Sequence, residues 1–217
     1  AQFLGSIFDR LGWDSRKNEK HTDALLRSFV ITTLGKLGDE EILAEARKRF
    51  NKFLKNKNSL AADLQQPVFN LMAWQGDKKT YNKLLSLYRK STLQEEKIRF
   101  LTAMCNFKQK NLLIKTLNLA LTPEVRSQNI RVPIMGVSAN IHGRAVLWPW
   151  LKNHWNKLVL KFGVGNPLAN RIVASVGGVI DDKQEKDVRN FFKRNPLPGT
   201  ERVIEQTLER VRIRSNF

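Results

Sequence analysis

Apolar side chains recur every three or four residues through almost the entire chain, and that single period leaves room for little except packed helices. Leu25, Leu26, Phe29, Val30, Thr33, Leu34 and Leu37 share one face, as do Ile42, Leu43, Ala46, Phe50, Phe53 and Leu54. Tyr81, Leu84, Leu85 and Tyr88 follow the same rule, then Leu112, Leu113, Thr116, Leu117 and Ala120, and later Val188, Phe191 and Phe192. No segment sustains an apolar-polar alternation. Strand competes with helix only in the Val/Ile-rich runs 130–139 and 172–180.

Boundary chemistry divides the pattern. Gly38 before Asp39-Glu40-Glu41 reads as a terminal glycine, an N-cap and an acidic first turn. Thr92 with Glu95 has capping-box spacing, and Asp181 with Gln184 a weaker version. Thr122-Pro123 and Asn166-Pro167 each set a capping side chain before a proline suited to the first helical position. Gly76-Asp77 and Gly199-Thr200 add further breaks. Pairing the helices gives units beginning near residues 22, 61, 93, 128, 166 and 200, steps of roughly 32 to 39 residues, the length of helical-hairpin repeats. The expected fold is all-α: an irregular superhelix of antiparallel helix pairs, a HEAT/armadillo-like solenoid, forming a single helical-repeat domain over residues 1–217.

Charge narrows the partners. With 38 Lys and Arg against 20 Asp and Glu, the formal net charge is +18. Most of it falls between residues 61 and 180, where 17 basic residues face 5 acidic ones. From 121 to 180 the only acid is Glu124. Such a zone suits polyanions, acidic proteins or the carboxylates of small ligands, or is merely a solvated basic surface. Cys105 is the only cysteine, so no internal disulfide framework exists and a reducing, cytoplasmic setting is expected. No apolar run approaches the roughly 20 residues that span a bilayer, so no membrane is expected as a partner. No signal peptide is apparent, and the chain opens at Ala1-Gln2-Phe3-Leu4 within helical periodicity, without an initiator Met, as a piece of a longer protein would.

Catalytic chemistry is sparse. His21, His142 and His154 are the only histidines; none precedes a Glu and no two stand four apart, so a zinc-peptidase H-E-x-x-H site is absent from this sequence. Cys105 sits beside Phe100 and Leu101 on an amphipathic helix, the setting of a buried, inert thiol. Gly163-Val164-Gly165 follows a helix and reads as a turn, not a phosphate loop. Asp181-Asp182 and Glu40-Glu41 read as helix starts. Trp74, Trp148, Trp150 and Trp155 lie among apolar neighbours and are expected in the core. Arg126, Arg131, Arg144 and Arg171 stand in the acid-poor zone. They are either solvated and structural, or some of them line a cavity and hold a carboxylate bidentately.

One block carries a resemblance. His142-Gly143-Arg144 is followed by Trp148, Trp150, Asn153, Trp155, Leu158 and Phe162. This spacing resembles the late helices of the C-terminal domain of puromycin-sensitive-type zinc aminopeptidases, gluzincin peptidases that include the endoplasmic-reticulum aminopeptidases. Further ordered pieces are similar to that family. They include Leu11-Gly12-Trp13-Asp14 with His21 and Asp23-Ala24-Leu25-Leu26-Arg27, and Leu34-Gly35-Lys36. Glu45-Ala46-Arg47-Lys48-Arg49-Phe50, the run from Ala62 to Phe69 and Gln94-Glu95-Glu96-Lys97 come next. Glu124-Val125-Arg126-Ser127-Gln128 and Phe191-Phe192 before Pro196 and Glu201-Arg202 complete the set.

The resemblance implies a fragment of the non-catalytic C-terminal domain of a larger metallopeptidase, with zinc in the parent enzyme and no cofactor in this chain. It implies that the domain encloses the substrate chamber, gates access and binds the distal part of peptides. Its partners would be the catalytic and N-terminal domains and peptide substrates. The family's domain starts before residue 1 and runs one helix past Phe217, so its first and last helices are expected to be missing. An aminopeptidase holds the substrate's amino end at the zinc, which sends the free carboxylate toward this domain; Arg144 is the first candidate to receive it, then Arg126, Arg131 and Arg171. The alternative is a stand-alone basic helical-repeat module binding nucleic acid or an acidic protein. Against nucleic acid, Lys and Arg are spread over most helices, with no basic run interleaved with aromatics. A purely structural fragment with no ligand of its own is a third possibility.

Overall fold

A computed structural model of the chain describes residues 2–215, apart from the side chains of Asp182, Arg214 and Ser215. Ala1 and Phe217, which figured in the expectations above, lie outside the described residues. The elements in order are α1 (Gln2–Leu11), α2 (His21–Lys36), α3 (Glu40–Lys55), α4 (Ala62–Trp74), α5 (Lys78–Lys90) and α6 (Gln94–Met104). They continue with α7 (Lys110–Leu121), α8 (Arg131–Ala139), α9 (Arg144–Phe162), α10 (Leu168–Val176), α11 (Glu185–Arg194) and α12 (Glu201–Ser215). Single 3-10 turns sit at Lys57–Ser59, Ser127–Asn129 and Asp182–Gln184. No strand occurs among the described residues, so the all-α expectation holds. The runs 130–139 and 172–180 are α8 and the end of α10 with its closing turn. Lacking any neighbouring strand, their backbone groups find partners only in a helix. Among the described residues no helix is long and apolar enough to cross a membrane.

The chain forms two compact units, Ala1–Phe107 and Lys108–Phe217. In the first, α4 lies between α2 and α6, and α3 and α5 pack onto that layer. In the second, α10 lies between α8 and α12, and α9 packs against α7, α8 and α10. The even-numbered helices start at His21, Ala62, Gln94, Arg131, Leu168 and Glu201. Those starts coincide, within three residues, with the repeat units counted from the sequence.

Several helix ends are closed as the boundary residues require. Gly38 takes φ of +96°, a conformation that favours glycine, and the Asp39 carboxylate accepts from the Ile42 N–H at 3.0 Å. Asp77 does the same for Thr80. Asn166 accepts from the Leu168 N–H at 2.9 Å, with Pro167 opening α10. Asp181 and Gln184 exchange two bonds, a complete capping box. Two expected caps are not formed. Thr92 does not cap α6, whose N-cap position is Leu93 without a side-chain bond; Glu95 turns instead to Arg99, four residues on, at 2.6 Å. Thr122 closes α7 instead of opening a helix: its hydroxyl donates to the Leu119 carbonyl, and α8 begins only at Arg131.

The α2 face also differs from expectation. Leu25, Phe29 and Leu37 are exposed, while Arg27, Val30, Ile31 and Leu34 are buried. This helix is apolar on two sides, so periodicity alone does not choose between them. The core of the first unit is built on aromatic contacts that join α3, α4 and α6. Phe69 meets Phe53 at 4.9 Å and Phe100 at 5.0 Å between ring centroids. Cys105 is buried too, and desolvation pushes its thiol up to about 12.

Arg27 is the one buried guanidinium of that unit, 1% exposed. It donates to the carbonyls of Leu11 and Gly12 at 3.2 and 3.1 Å and to Glu19 at 2.5 Å. Gly12, at φ of +63°, ends α1 and turns those carbonyls toward it. The next two residues serve another arginine: Asp14 binds Arg49 through both oxygens, at 2.7 and 2.8 Å, and the Trp13 ring lies 4.9 Å from the same guanidinium. Arg27→Ala should therefore release α1, leaving two carbonyls without their donor. Urea unfolding should register a loss on the order of 3 kcal/mol, the scale for breaking a buried charge cluster; a change within a few tenths would contradict this account.

Acid should act on the same joint. The Arg27 bond, then the Arg16 N–H, hold the Glu19 carboxyl below its usual 4.5. A depressed carboxylate stabilises fully above its unfolded value, and that stabilisation is lost as pH falls through the folded one. Acid titration of stability should accordingly steepen below pH 4.5, and Glu19→Gln should flatten the curve in that range.

Candidate functional site

The tryptophan block is a packing device. Trp148, Trp150 and Trp155 are buried on α9. Trp148 and Trp155 pack against Phe191 and Phe192 of α11 with centroids between 5.3 and 6.1 Å. The Trp148 indole donates to Asp187 at 2.8 Å, and Lys152 binds the same carboxylate oxygen at 2.6 Å. The Lys152 bond, more than the indole, holds the Asp187 carboxyl below its ordinary range. The Trp150 indole donates to Asn118 of α7 at 2.7 Å. Trp74 departs from expectation; it is only half-buried, with the Lys36 ammonium 5.4 Å from its ring.

Between α8 and α9 the chain turns within residues 140–143. Asn140 accepts from the His142 N–H through its side chain at 3.0 Å and from the Gly143 N–H through its carbonyl at 2.8 Å. A Cβ on Gly143 would sit 2.2 Å from the Val137 carbonyl oxygen. Glycine is required there so that α9 can start against the end of α8. The close approach is to this chain's own backbone, not to a ligand.

That turn delivers Arg144 to the mouth of a cleft of about 550 Å³. Met135, Ser138 and Ala139 of α8 form one wall; Arg171, Ala174 and Ser175 of α10, with Gly178, form the other. The volume lies within the range of about 300–1,000 Å³ typical of ligand sites. Arg144 and Arg171 are exposed, and neither makes a hydrogen bond or ion pair among the described residues. Arg126 and Arg131, also exposed, open the 3-10 turn and α8 and do not line this cleft. The four arginines proposed from the sequence are thus divided in two. Ser138 and Ser175 were missed, since nothing local marks them; only the packing of α8 on α10 brings them together.

Two electrostatic features accompany the cleft. Neither α7, α8, α9 nor α10 carries an acidic residue in its first turn, while Lys110, Arg131 and Arg144 open three of them. A cation at a helix N-terminus opposes the helix dipole and is favoured only by a compensating anion or by solvent. Elsewhere in the unit the basic side chains are used: Lys161 caps α7 by donating to the carbonyls of Ala120, at 2.7 Å, and Thr122. Among the described residues no group of three His, Cys, Asp or Glu could hold a metal ion. His154 is occupied with the Trp150 carbonyl at 2.9 Å and stacks on the Trp150 ring.

Comparison with known proteins bears on the whole chain. The family model described as the ERAP1-like C-terminal domain matches residues 1–213. The chain belongs to this family. Relatives of the ERAP1-like C-terminal domain include aminopeptidase M1 of Arabidopsis thaliana, 34% identical over 96% of this chain and 24% of its own length. Glutamyl aminopeptidase of Sus scrofa is 31% identical over 95% of the chain and 22% of its own length. Aminopeptidase 2 of Candida albicans is 28% identical over 95% and 23%. The chain therefore spans about a quarter of the curated relatives it matches, and it matches them across both compact units. Within this family domain, Gly143→Ala should cost about 1–3 kcal/mol through overpacking against α8. Thermal unfolding should show it, and a variant as stable as the parent would mean that the turn has room the structure denies.

Proposed function

We propose that the chain is the non-catalytic C-terminal domain of a zinc aminopeptidase, enclosing the chamber over the active site, gating access to it and holding the carboxylate end of peptide substrates. One observation carries the substrate-binding part: Arg144 and Arg171 converge on a single cleft with no acidic partner. Two uncompensated guanidiniums repel each other, and a carboxylate is the ligand whose flat pair of oxygens matches them. The acid-free first turns of α7 to α10 support the same polarity. Family membership supports the peptidase context, with zinc supplied by another part of the parent enzyme. A lone thiol, with no disulfide partner in the chain, supports a cytoplasmic setting.

The test uses the intact parent enzyme. Arg144→Ala should weaken binding of peptides by about 1.5–3 kcal/mol, the scale of a hydrogen bond to a charged group, and leave single-residue chromogenic substrates nearly untouched. Equal losses on both substrates would defeat the assignment. The isolated chain should hydrolyse neither substrate and hold no stoichiometric zinc; metal analysis with one tight zinc per chain, and activity removed by chelators, would overturn this.

A further inference from the structure

We propose that a second cleft, between α7 and α9, binds a small aromatic ring carrying a neutral primary carboxamide. This cleft of about 350 Å³ lies in the second unit and shares no lining residue with the one that holds Arg144 and Arg171. Its apolar wall is Ile114, Val146, Pro149 and the Trp150 ring, with Ile114 left 39% exposed. Pro149 creates the first polar group. It lies inside α9 and has no N–H, so the Ala145 carbonyl, four residues earlier, loses its helical donor. No side chain among the described residues replaces that donor. Ala145 and Pro149 both line the cleft, so the freed carbonyl opens on it. His154 supplies the second group. Its Nδ1 is 2.9 Å from the Trp150 carbonyl; a carbonyl only accepts, so Nδ1 carries the proton and Nε2 of the neutral ring is an acceptor. Stacking on Trp150, with centroids 4.7 Å apart, fixes that ring at the wall.

Lys110, which opens α7 on the opposite side, is the donor. It is exposed and makes no hydrogen bond or ion pair among the described residues. Asn153 adds an amide, which offers both kinds of group and leaves the balance unchanged. Two acceptors and one donor are the complement of a primary carboxamide, whose nitrogen gives two protons and whose oxygen accepts. Other ligands fail on the same count. A carboxylate would set its oxygens against two sets of lone pairs. An ammonium would meet Lys110 in a zone where Glu124 is the only acid from 121 to 180. A phenol gives one proton and leaves one acceptor dry. An aliphatic chain leaves both dry, at the cost of their desolvation. The ring follows from the wall, where proline, isoleucine and indole surfaces give a flat apolar body its contacts.

The test is a ligand-observed NMR titration of this chain, in mildly alkaline buffer, with benzamide, N,N-dimethylbenzamide, benzoate, phenol and acetamide. Benzamide should bind best. The dimethyl form, which has lost both protons, should be about tenfold weaker or more, the scale of two neutral hydrogen bonds. Benzoate and phenol should be at least about threefold weaker, and acetamide, without the ring, at least about tenfold. Pro149→Ala returns an N–H to α9 and closes the Ala145 carbonyl. Benzamide should then bind about three- to tenfold more weakly, the dimethyl form should keep its affinity, and thermal stability should not fall. His154→Phe keeps a stacked ring without the acceptor and should give the same split between the two ligands. Dimethylbenzamide, benzoate or phenol binding as tightly as benzamide would overturn the proposal. So would equal losses of benzamide and its dimethyl form in Pro149→Ala, which would reduce the proline to packing. Benzamide that does not saturate below about 10 mM, weak even for so small a ligand, would overturn it as well.

Discussion

Helices stacked in layers must stop on schedule, because each added turn lengthens a helix by about 5.4 Å and carries it past its neighbours. The stack of α2, α4 and α6 and that of α8, α10 and α12 both depend on this. Local residues set the boundaries: Gly38 ends α2, while Asp39, Asp77, Asn166 with Pro167, and the reciprocal pair of Asp181 and Gln184 fix where the next helical turns begin. At the C-terminal ends the same task falls to basic groups reaching from other helices. Arg27 of α2 closes α1, and Lys161 of α9 closes α7. Two basic side chains, Arg27 and Lys161, are thus bound to backbone carbonyls.

This explains what could be read ahead of the structure. Helix starts were readable because period and capping are local; five of the six repeat units begin at an even-numbered helix within two residues, and the sixth, at Arg131, within three. The tryptophans of α9 were readable as core because they lie among apolar neighbours. Other features were not, each for a tertiary reason. The exposed side of α2 depends on where α4 lies. Thr92 has a perfect capping partner in spacing, yet Arg99 claims Glu95. The need for glycine at 143 was not readable either, because it comes from the Val137 carbonyl, which occupies the space a Cβ would take. The separation of Arg144 and Arg171 from Arg126 and Arg131 needed the packing of α8 on α10.

The acid-poor zone is where local and global preferences part. Most helices outside it begin with acids that suit their dipoles, as α3 does with Glu40 and Glu41 and α11 with Glu185 and Asp187. Just before it and inside it, the four consecutive helices α7 to α10 begin without any. A sequence that obeys a rule in most places and breaks it in one stretch is expected to gain something there beyond stability. The convergence of two unpaired arginines within that stretch gives the exception a location, in the second unit alone.

The burial of Cys105 has a practical side. It is the only thiol in the chain, sits among the core residues of the first unit, and is kept protonated by its surroundings. A thiol reagent can reach it only after that unit opens, and reacts with the thiolate only after the sulfur meets water. Labelling at neutral pH would thus act as a clock for the opening of one half of the molecule, with no engineered probe and no signal from the other half.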